Sequence, residues 1–409
     1  MVAINYGITD PRGTILISNF DIEPGLPANI TVKEINIVES LLNPGLQVMT
    51  TLQSDIYRPV GKNFDSFKNQ VMSFRLVGSE GYAGKTLTVN QTVFRLDNRN
   101  RVQNNFSAVE EMTFYAIDDT VIEDAKCLVS KSWKCTPPSD VVRHVLDSCL
   151  KAKDSKVETA DPSRDYIAEN LHPFQVISQQ ANVALADGDP SFLHFMTLDE
   201  NTGRGVHHFE SLKKLTEQDS NQFQYVFAEP TKTHDYGNKT AVINFSFPCD
   251  FDYMSDLLNG IDENGENQNS MGVVDPVLKV FTKMLGGGGQ QACDCGIGQY
   301  NFKVAQSNKQ SADQRNSCNL DVETHLLKRQ ARMGLLEKDK IALRITVPWN
   351  PQLHAGKVIS FQWSNKEGGP AVYGTGEYLI VSMMHSIRMG GYATTTMDCV
   401  SKTVGQGIV

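Results

Sequence analysis

Short runs rich in β-branched residues constrain the fold of this chain more than any other feature. Ile341, Leu343, Ile345 and Val347 occupy alternate positions. Because successive side chains of a strand point to opposite faces, this alternation predicts a strand with one buried face. Similar runs predict strands at residues 30–38, 71–77, 86–96, 112–117, 358–363, 378–384 and 394–400. Gly, Asn and Pro separate the runs, which is typical of an antiparallel β-barrel or β-sandwich.

The middle of the sequence predicts helices as well as strands. Apolar residues recur on one side of a helix over residues 141–150, and we expect Ser139 to cap its N-terminus. A second helix is expected from Pro173, because proline suits the first helical turn. The other elements expected here are strands at residues 192–198 and 206–209 and a short helix at residues 210–215.

Two polar stretches separate these parts. Residues 151–165 are expected to be a linker. Residues 262–319 are rich in Asn, Gln, Ser and Gly and include four consecutive glycines at 286–289, so most of this stretch is expected to be an exposed excursion. Within it we expect one element, a short helix at residues 276–285. The predicted fold class is mixed α+β and mainly β.

The charge balance argues against a nucleic-acid binder. The formal net charge is −9, whereas binding to phosphates needs clustered Lys and Arg. An acidic surface instead allows DNA to slide past without adhering. The first residues do not resemble a secretory signal, and no run of about 18 apolar residues suggests a stable membrane insertion. The 8 cysteines are irregularly spaced, so we expect most of them to be reduced.

One stretch resembles a phosphate-binding loop. Gly84, Lys85 and Thr86 match the end of that motif, in which backbone N–H groups cradle phosphates and the Lys and Thr serve phosphate and Mg²⁺. Ser79 stands where the motif has its first glycine, and the residues after Thr86 predict a strand where the motif requires a helix. We interpret the stretch as a hairpin turn and expect no cofactor.

One set of residues combines the side-chain types that bind zinc. It consists of Cys293, Cys295, Cys318 and His325. Their spacing matches no known zinc motif, and the first two lie in the Gly-rich excursion. We interpret these cysteines as free thiols and expect no metal.

The adjacent residues His207 and His208 lie within a predicted strand. Their side chains are expected on opposite faces, so they cannot chelate one ion from one face, and we interpret them as exposed or packing residues. No nucleophile and base, and no pair of carboxylates, has diagnostic spacing, so no catalytic site is predicted. An acidic stretch is interpreted as a solvated face and comprises Asp252, Asp256, Asp262 and Glu263.

Three groups of short hydrophobic signatures occur in a characteristic order. They are VSKSWK at 129–134 with SDVVRHVL at 139–146; HPFQVIS at 172–178 with FLHFM at 192–196 and VHHFESL at 206–212; and the alternating run at 341–347 with LHAGKVISF at 353–361, GTGEYLIVS at 374–382 and His385. This order resembles the central baseplate hub proteins of contractile-tailed bacteriophages, and the related hub modules of type VI secretion spikes and phage-like injection systems.

The resemblance implies a structural protein with no enzymatic activity. Two antiparallel β-barrel hub domains per chain, joined by α/β segments, would form a homotrimeric ring. Six barrels would then adapt a sixfold tail tube to a threefold central spike and leave a channel for DNA. The implied partners are the tail tube or tube-initiator protein, the central spike protein and other baseplate or wedge proteins. The implied location is the baseplate of the virion tail, assembled in the cytoplasm of the host bacterium.

The expected domains follow this scheme. Residues 1–125 are a first β-barrel, 126–225 a mixed α/β domain, 226–335 a connecting segment, and 336–409 a second β-barrel completed by strands from 225–250. Ile345 and Phe361 are expected in the second core. Segment 286–319 departs from the resemblance. Two other functions stay open: the hub module of a tailocin or secretion-type device, and a spike-associated cell-wall hydrolase.

Overall fold

The computed structural model describes most of the chain. The described residues are 4–9, 15–23, 30–55, 70–78, 86–103, 108–227, 239–248, 270–275, 280–285, 302–306, 329, 333, 336, 342–363, 374–388 and 393–402. Within these ranges the protein is mainly β with few helices, which confirms the predicted class.

The first sheet is antiparallel. Its strands are β1 (Ile4–Thr9), β2 (Ile15–Glu23), β3 (Ile30–Ser40), β4 (Gln47–Asp55), β5 (Val71–Gly78), β6 (Thr86–Gln103) and β7 (Ala108–Ile117). They lie in the order β1-β2-β5-β6-β7-β4-β3. Ile35, Ile37 and Val48 belong to its buried core, because alternate residues face inwards. The strands predicted in this part are confirmed, whereas β1, β2 and β4 were not predicted.

A mixed region follows. Its elements are α1 (Asp119–Lys126), β8 (Val129–Thr136), α2 (Pro138–Val145), β9 (Ser155–Val157), β10 (Arg164–Leu171), α3 (Pro173–Ala181), β11 (Phe192–Leu198), β12 (Gly205–Ser211) and α4 (Leu212–Thr216). Strands β8 and β10 form an antiparallel pair, and β11, β12 and β9 form a second small sheet in which β9 is parallel to β12. The predicted helices at 141–150 and from Pro173 are confirmed; the first of them ends in a π-helical turn, Leu146–Leu150.

Two local predictions in this region are wrong. Pro137, not Ser139, occupies the N-cap of α2, because Pro138 supplies the φ angle of the first helical residue and starts the helix earlier. The predicted linker at 151–165 contains the whole of β9. Its polar residues form a strand because β12 offers an edge with which they pair, and such pairing overrides local preference.

The next part of the chain contributes short strands. They are β13 (Gln224–Phe227), β14 (Thr240–Ala241), β15 (Asn244–Ser246), β16 (Ser270–Asp275), β17 (Val280–Leu285) and β18 (Phe302–Gln306). Strands β16, β17 and β18 form a separate sheet. The helix predicted at 276–285 is therefore wrong over Val280–Leu285. A short apolar run does not distinguish helix from strand, and here the pairing with β16 decides. The excursion expected at 262–319 likewise contains all three strands.

The second large sheet is completed by β19 (Leu343–Pro348), β20 (Val358–Trp363), β21 (Gly376–Arg388) and β22 (Ala393–Ser401). The strands lie in the order β14-β13-β20-β21-β22-β19-β15. Ile345 and Phe361 are fully buried in its core, as predicted.

The two large sheets repeat one arrangement of five antiparallel strands. The order β3-β4-β7-β6-β5 in the first matches β15-β19-β22-β21-β20 in the second. The registers match too: a bulge follows Val93 in β6 and Ile380 in β21. Two threonine pairs occupy equivalent positions and have equal Oγ1–Oγ1 distances of 3.1 Å, namely Thr51 with Thr113 and Thr346 with Thr396. The chain thus contains a structural duplication; the resemblance implied two similar domains, but no repeat between them is visible in the sequence.

The described strands do not close on themselves. The pairing has free ends at β1, β14 and β15 among the residues that the structure describes. Two closed barrels therefore stay a prediction.

Candidate functional site at the junction of the sheets

The two large sheets are joined edge to edge. The second half of β21 pairs with β3, from Ser382 beside Ser40 to Arg388 beside Glu34. The guanidinium of Arg388 also donates to the Glu34 carboxylate at 3.0 Å. Backbone hydrogen bonds therefore make one continuous sheet from two repeats.

A buried carboxylate fixes the mixed region to this junction. Glu39, at the end of β3, is 1% exposed. It accepts hydrogen bonds from the Leu198 N–H of β11 at 2.8 Å and from the Ala355 N–H, in the turn before β20, at 2.9 Å. The Nδ1 atom of His354 lies 3.2 Å from the same carboxylate. One side chain thereby connects the first sheet, the mixed region and the second sheet.

The surroundings of Glu39 favour its ionised form. Burial raises the pKa of Glu39, but His354 and the two backbone N–H donors lower it more, so its pKa lies below the usual value. A buried charge held in this way is sensitive to the loss of any partner. The arrangement is suited to holding three parts of the chain in a fixed relation.

His207 and His208 lie on opposite faces of β12, as predicted, and both are buried. On one face, the Thr120 hydroxyl donates to Asp118 at 2.6 Å, so it accepts from the Nε2–H of His207 at 3.0 Å. The free Nδ1 of His207 then accepts from the Nε2–H of His194 at 3.1 Å. This network is satisfied when both imidazoles are neutral.

Burial keeps these imidazoles neutral. It lowers the pKa of His207 to about 4, although Asp118 opposes the shift. Burial and the neighbouring His207 place the pKa of His194 well below the usual value. The pair packs as stacked rings with centroids 5.4 Å apart, so its evident role is structural.

The other face of β12 borders a cleft of about 510 Å³ beside the junction. Here His208 stacks on Phe195 and lies 3.1 Å from the Glu210 carboxylate. Lys214 contacts the same carboxylate at 2.8 Å. Burial raises the pKa of Glu210, but these two partners outweigh it and bring the pKa to about 2. Lys357 also lines the cleft, and burial, followed by the nearby Lys156, lowers its pKa. The cleft thus holds charges of both signs.

Few of the other residues weighed from the sequence can be placed. Thr86 begins β6, which pairs antiparallel with β5; a strand follows the loop-like motif, as predicted, and residues 79–85 lie outside the described residues. The residues considered as zinc ligands and then rejected, and the acidic stretch 252–263, also lie outside them. Among the described cysteines, Cys127, Cys149 and Cys399 are free, and Cys135 is disulfide-bonded. No group of three or more possible metal-binding side chains occurs in the described part of the chain.

Glu39 is the important residue that sequence reasoning missed. It follows Ile35 and Ile37 at alternate positions, so it occupies an inward-facing site of a strand with a buried face. A carboxylate at such a site requires partners from elsewhere in the fold. A carboxylate at an inward-facing strand position is therefore a signal in the sequence, but it does not identify the partners of that carboxylate.

Comparisons with known proteins show similarity in fold alone. No family model and no curated protein matches the sequence. A tail protein from Neisseria meningitidis superposes with a TM-score of 0.55 at 9% identity, covering 95% of this chain and 97% of that one. A 43 kDa tail protein of prophage MuSo2 from Shewanella oneidensis superposes with a TM-score of 0.51 at 10% identity, covering 98% and 99%.

The chain therefore has the fold of phage tail proteins. Because the similarity extends over nearly the whole of each chain, it includes both large sheets and the mixed region between them. The resemblance inferred from the sequence is confirmed at the level of the fold. No helix in the described ranges is long and apolar enough to cross a membrane.

Proposed function

We propose that this protein is the central baseplate hub of a contractile phage tail. Three copies form a ring, which binds the sixfold tail tube on one side and the threefold spike on the other. The observation that carries this proposal is the fold shared with a prophage tail protein and with a second tail protein over almost the full length of each chain. That likeness supports a role in a tail or a related injection device.

The internal duplication supports the symmetry-adapting role. A ring of three identical chains has three equivalent positions, and a chain with two equivalent sheets presents six. The two sheets of this chain share a strand order, the bulge after Val93 or Ile380, and an equivalent threonine pair. The proposed domains are a first barrel at 1–125, a mixed domain at 126–225, a connecting segment at 226–335 and a second barrel at 336–409.

The ring would leave a channel for DNA and would have no catalytic function. A net charge of −9 suits a surface past which DNA moves without adhering. Wedge proteins of the baseplate would bind the outer side, and assembly would take place in the host cytoplasm. Retention of double-stranded DNA by the assembled ring at physiological salt, in a filter-binding assay, would contradict this part of the proposal.

The test is the mass of the purified chain by light scattering at several concentrations, alone and with its candidate spike protein. A trimer in either condition supports the proposal, and the condition tells whether the ring forms alone or on the spike. A strict monomer in both conditions contradicts it. The hub of a tailocin or secretion device would give the same mass, so neighbouring capsid and terminase genes separate these alternatives. Zymography on peptidoglycan tests the hydrolase alternative.

A further inference from the structure

The junction inside the chain predicts a second junction between chains. The edge of β21 beyond its bulge pairs with β3, the outermost strand of the five-strand unit in the first sheet. In the first sheet, the strand equivalent to β21 is β6. In the second sheet, the strand equivalent to β3 is β15. Each repeat therefore has one edge like that of β3 and one edge like that of β21. Among the described strands, the chain pairs β21 with β3 and leaves β6 and β15 for a second pairing of the same kind.

The two remaining edges have no strand partner among the described residues. Among the described strands, β7 is the partner of β6 beyond Val93, and β19 is the partner of β15. Unpaired edges present rows of free backbone donors and acceptors, and proteins generally cover them. These two edges are complementary by the same geometry that already joins β21 to β3.

We propose that β15 of one copy pairs antiparallel with the free edge of β6 in the next copy. The internal junction gives the register. Asn36 lies beside Ser386, and the equivalent residues are Ser246 and Asn100 once the extra residue of the second bulge in β6 is counted. Asn244 correspondingly lies beside Val102. The contact is heterologous, so each chain donates one edge and accepts another, and repetition closes a ring.

Exposed apolar side chains near the β6 edge support this contact. Phe94, the bulge residue where pairing with β5 stops, is 45% exposed. Its counterpart in the second sheet, Val381, is 3% exposed. On the other edge, Ile243 beside β15 is 36% exposed, and Pro248 limits the pairing because it has no N–H to donate. Ile243 adjoins the residues proposed to pair, and Phe94 lies at the far end of the same free edge of β6.

The proposed pairing of β15 with β6 rests on the proposed function only for the number of chains in the ring. Three chains joined in this way give six sheets in alternation, with internal and external junctions of the same kind. The strand register itself follows from the duplication within one chain. The two proposals can therefore fail separately.

Engineered disulfides test the register. Paired residues of antiparallel strands have Cα atoms about 4.5–5.5 Å apart, within the range of a disulfide. The double variant Ser246→Cys with Asn100→Cys should form covalent rings on oxidation, seen as trimers on non-reducing gels. An equimolar mixture of the two single variants should stop at dimers, and neither single variant should cross-link alone. Asn244→Cys with Val102→Cys is the second pair to test.

The matched control is Val38→Cys with Met384→Cys, whose residues face each other across the internal junction and are each 37% exposed. It should form a disulfide without any change in mass, and the oxidised wild type gives the background of native cysteines. A trimer by light scattering in which neither interchain pair cross-links contradicts the inference and leaves the hub proposal intact. Dimers from one single variant alone also contradict it. A monomer that does not cross-link contradicts both proposals.

Discussion

The two large sheets share a backbone arrangement but differ in what covers their equivalent faces. Four buried residues of the second sheet pack against Leu193 and Leu212 of the mixed region: Val358, Leu379, Val381 and Val400. Their equivalents in the first sheet are Val71, Thr92, Phe94 and Ile117. Of these, Val71 is 56% exposed and Phe94 is 45% exposed. Within one chain, the mixed region covers all four of these positions in the second sheet but only part of the equivalent face in the first sheet. Thr92 is buried and its hydroxyl donates to Asp119 of α1, whereas Val71 and Phe94 remain exposed.

This difference separates folding from assembly. In the second sheet, the apolar side chains around the bulge stabilise the chain itself. In the first sheet, apolar side chains at the same positions remain available to another molecule, and exposed apolar patches of this kind often mark interfaces. Substitutions at equivalent positions should therefore have unequal effects on stability and on association.

The largest effect is expected in the core of the second sheet. Ile345→Asp places a charge at a fully buried site and should destabilise the fold by at least about 4 kcal/mol, enough to prevent folding. The readouts are soluble yield and circular dichroism. Thr346→Asp, one residue along and half-buried, is the control and should fold. A soluble, folded Ile345→Asp variant would show that this core is assigned wrongly.

The next effect is expected at the junction. Glu39→Gln removes the charge that holds His354 and the N–H groups of Leu198 and Ala355, and should lower the free energy of unfolding by about 3 kcal/mol. Glu34→Gln, on the same strand but in a solvent-exposed pair with Arg388, should cost at most about 1 kcal/mol. Urea unfolding measures the free energy of unfolding of both variants. Equal losses in the two variants would contradict the role assigned to Glu39.

Equivalent bulge residues test the main comparison directly. Val381→Ser replaces a buried apolar side chain with a polar one. It should lower the free energy of unfolding by about 2 kcal/mol, because burial of a Val side chain stabilises the folded state by about that amount. Phe94→Ser should lower it by less than about 1 kcal/mol but weaken association, which dilution series in light scattering would measure. The reverse ranking would mean that the first sheet is the one covered within the chain.

Acid in the range of histidine titration should act mainly on the second sheet and the mixed region, because the sequence has no histidine before His144. Burial lowers the pKa of His385 in β21 to about 4. The unfolded chain therefore takes up the proton near the usual value while the folded chain does not. Stability is complete above that value and falls between about pH 6.5 and 4, by about 1.4 kcal/mol per pH unit for one such group. His385→Gln should flatten the profile of unfolding free energy against pH by that amount, and an unchanged slope would contradict the assignment.

The smallest effect expected is a gain. Thr50 in the first sheet is equivalent to Ile345, is 3% exposed, and its hydroxyl has no hydrogen-bond partner. Thr50→Val keeps the shape and removes the unpaired hydroxyl, so it should raise the free energy of unfolding by about 1 kcal/mol. Thr51→Val, which breaks the pair with Thr113, should instead lower it slightly. A loss on Thr50→Val would reveal a hidden partner for that hydroxyl.

Periodicity predicted the elements that bury one complete face. Strand β19 follows from the alternation that includes Leu343 and Ile345, and α2 follows from its apolar side. Two elements that sequence reasoning missed or misassigned lack such a pattern. Strand β9 is polar, and β17 is a short apolar run that reads equally well as a helix. In each of them a neighbouring strand decides the conformation.

The sequence by itself determined which faces of the long strands are buried, that Ile345 and Phe361 lie in a core, and that His207 and His208 point apart. Only the tertiary structure decided that β21 joins β3, that Glu39 connects three parts of the chain, and that the two sheets are repeats. The physical reason is that the burial of a strand face depends on the alternation of apolar and polar side chains, which differ along the chain. Strands pair through backbone N–H and C=O groups, which are nearly identical at every residue, so the choice of partner depends on the whole fold.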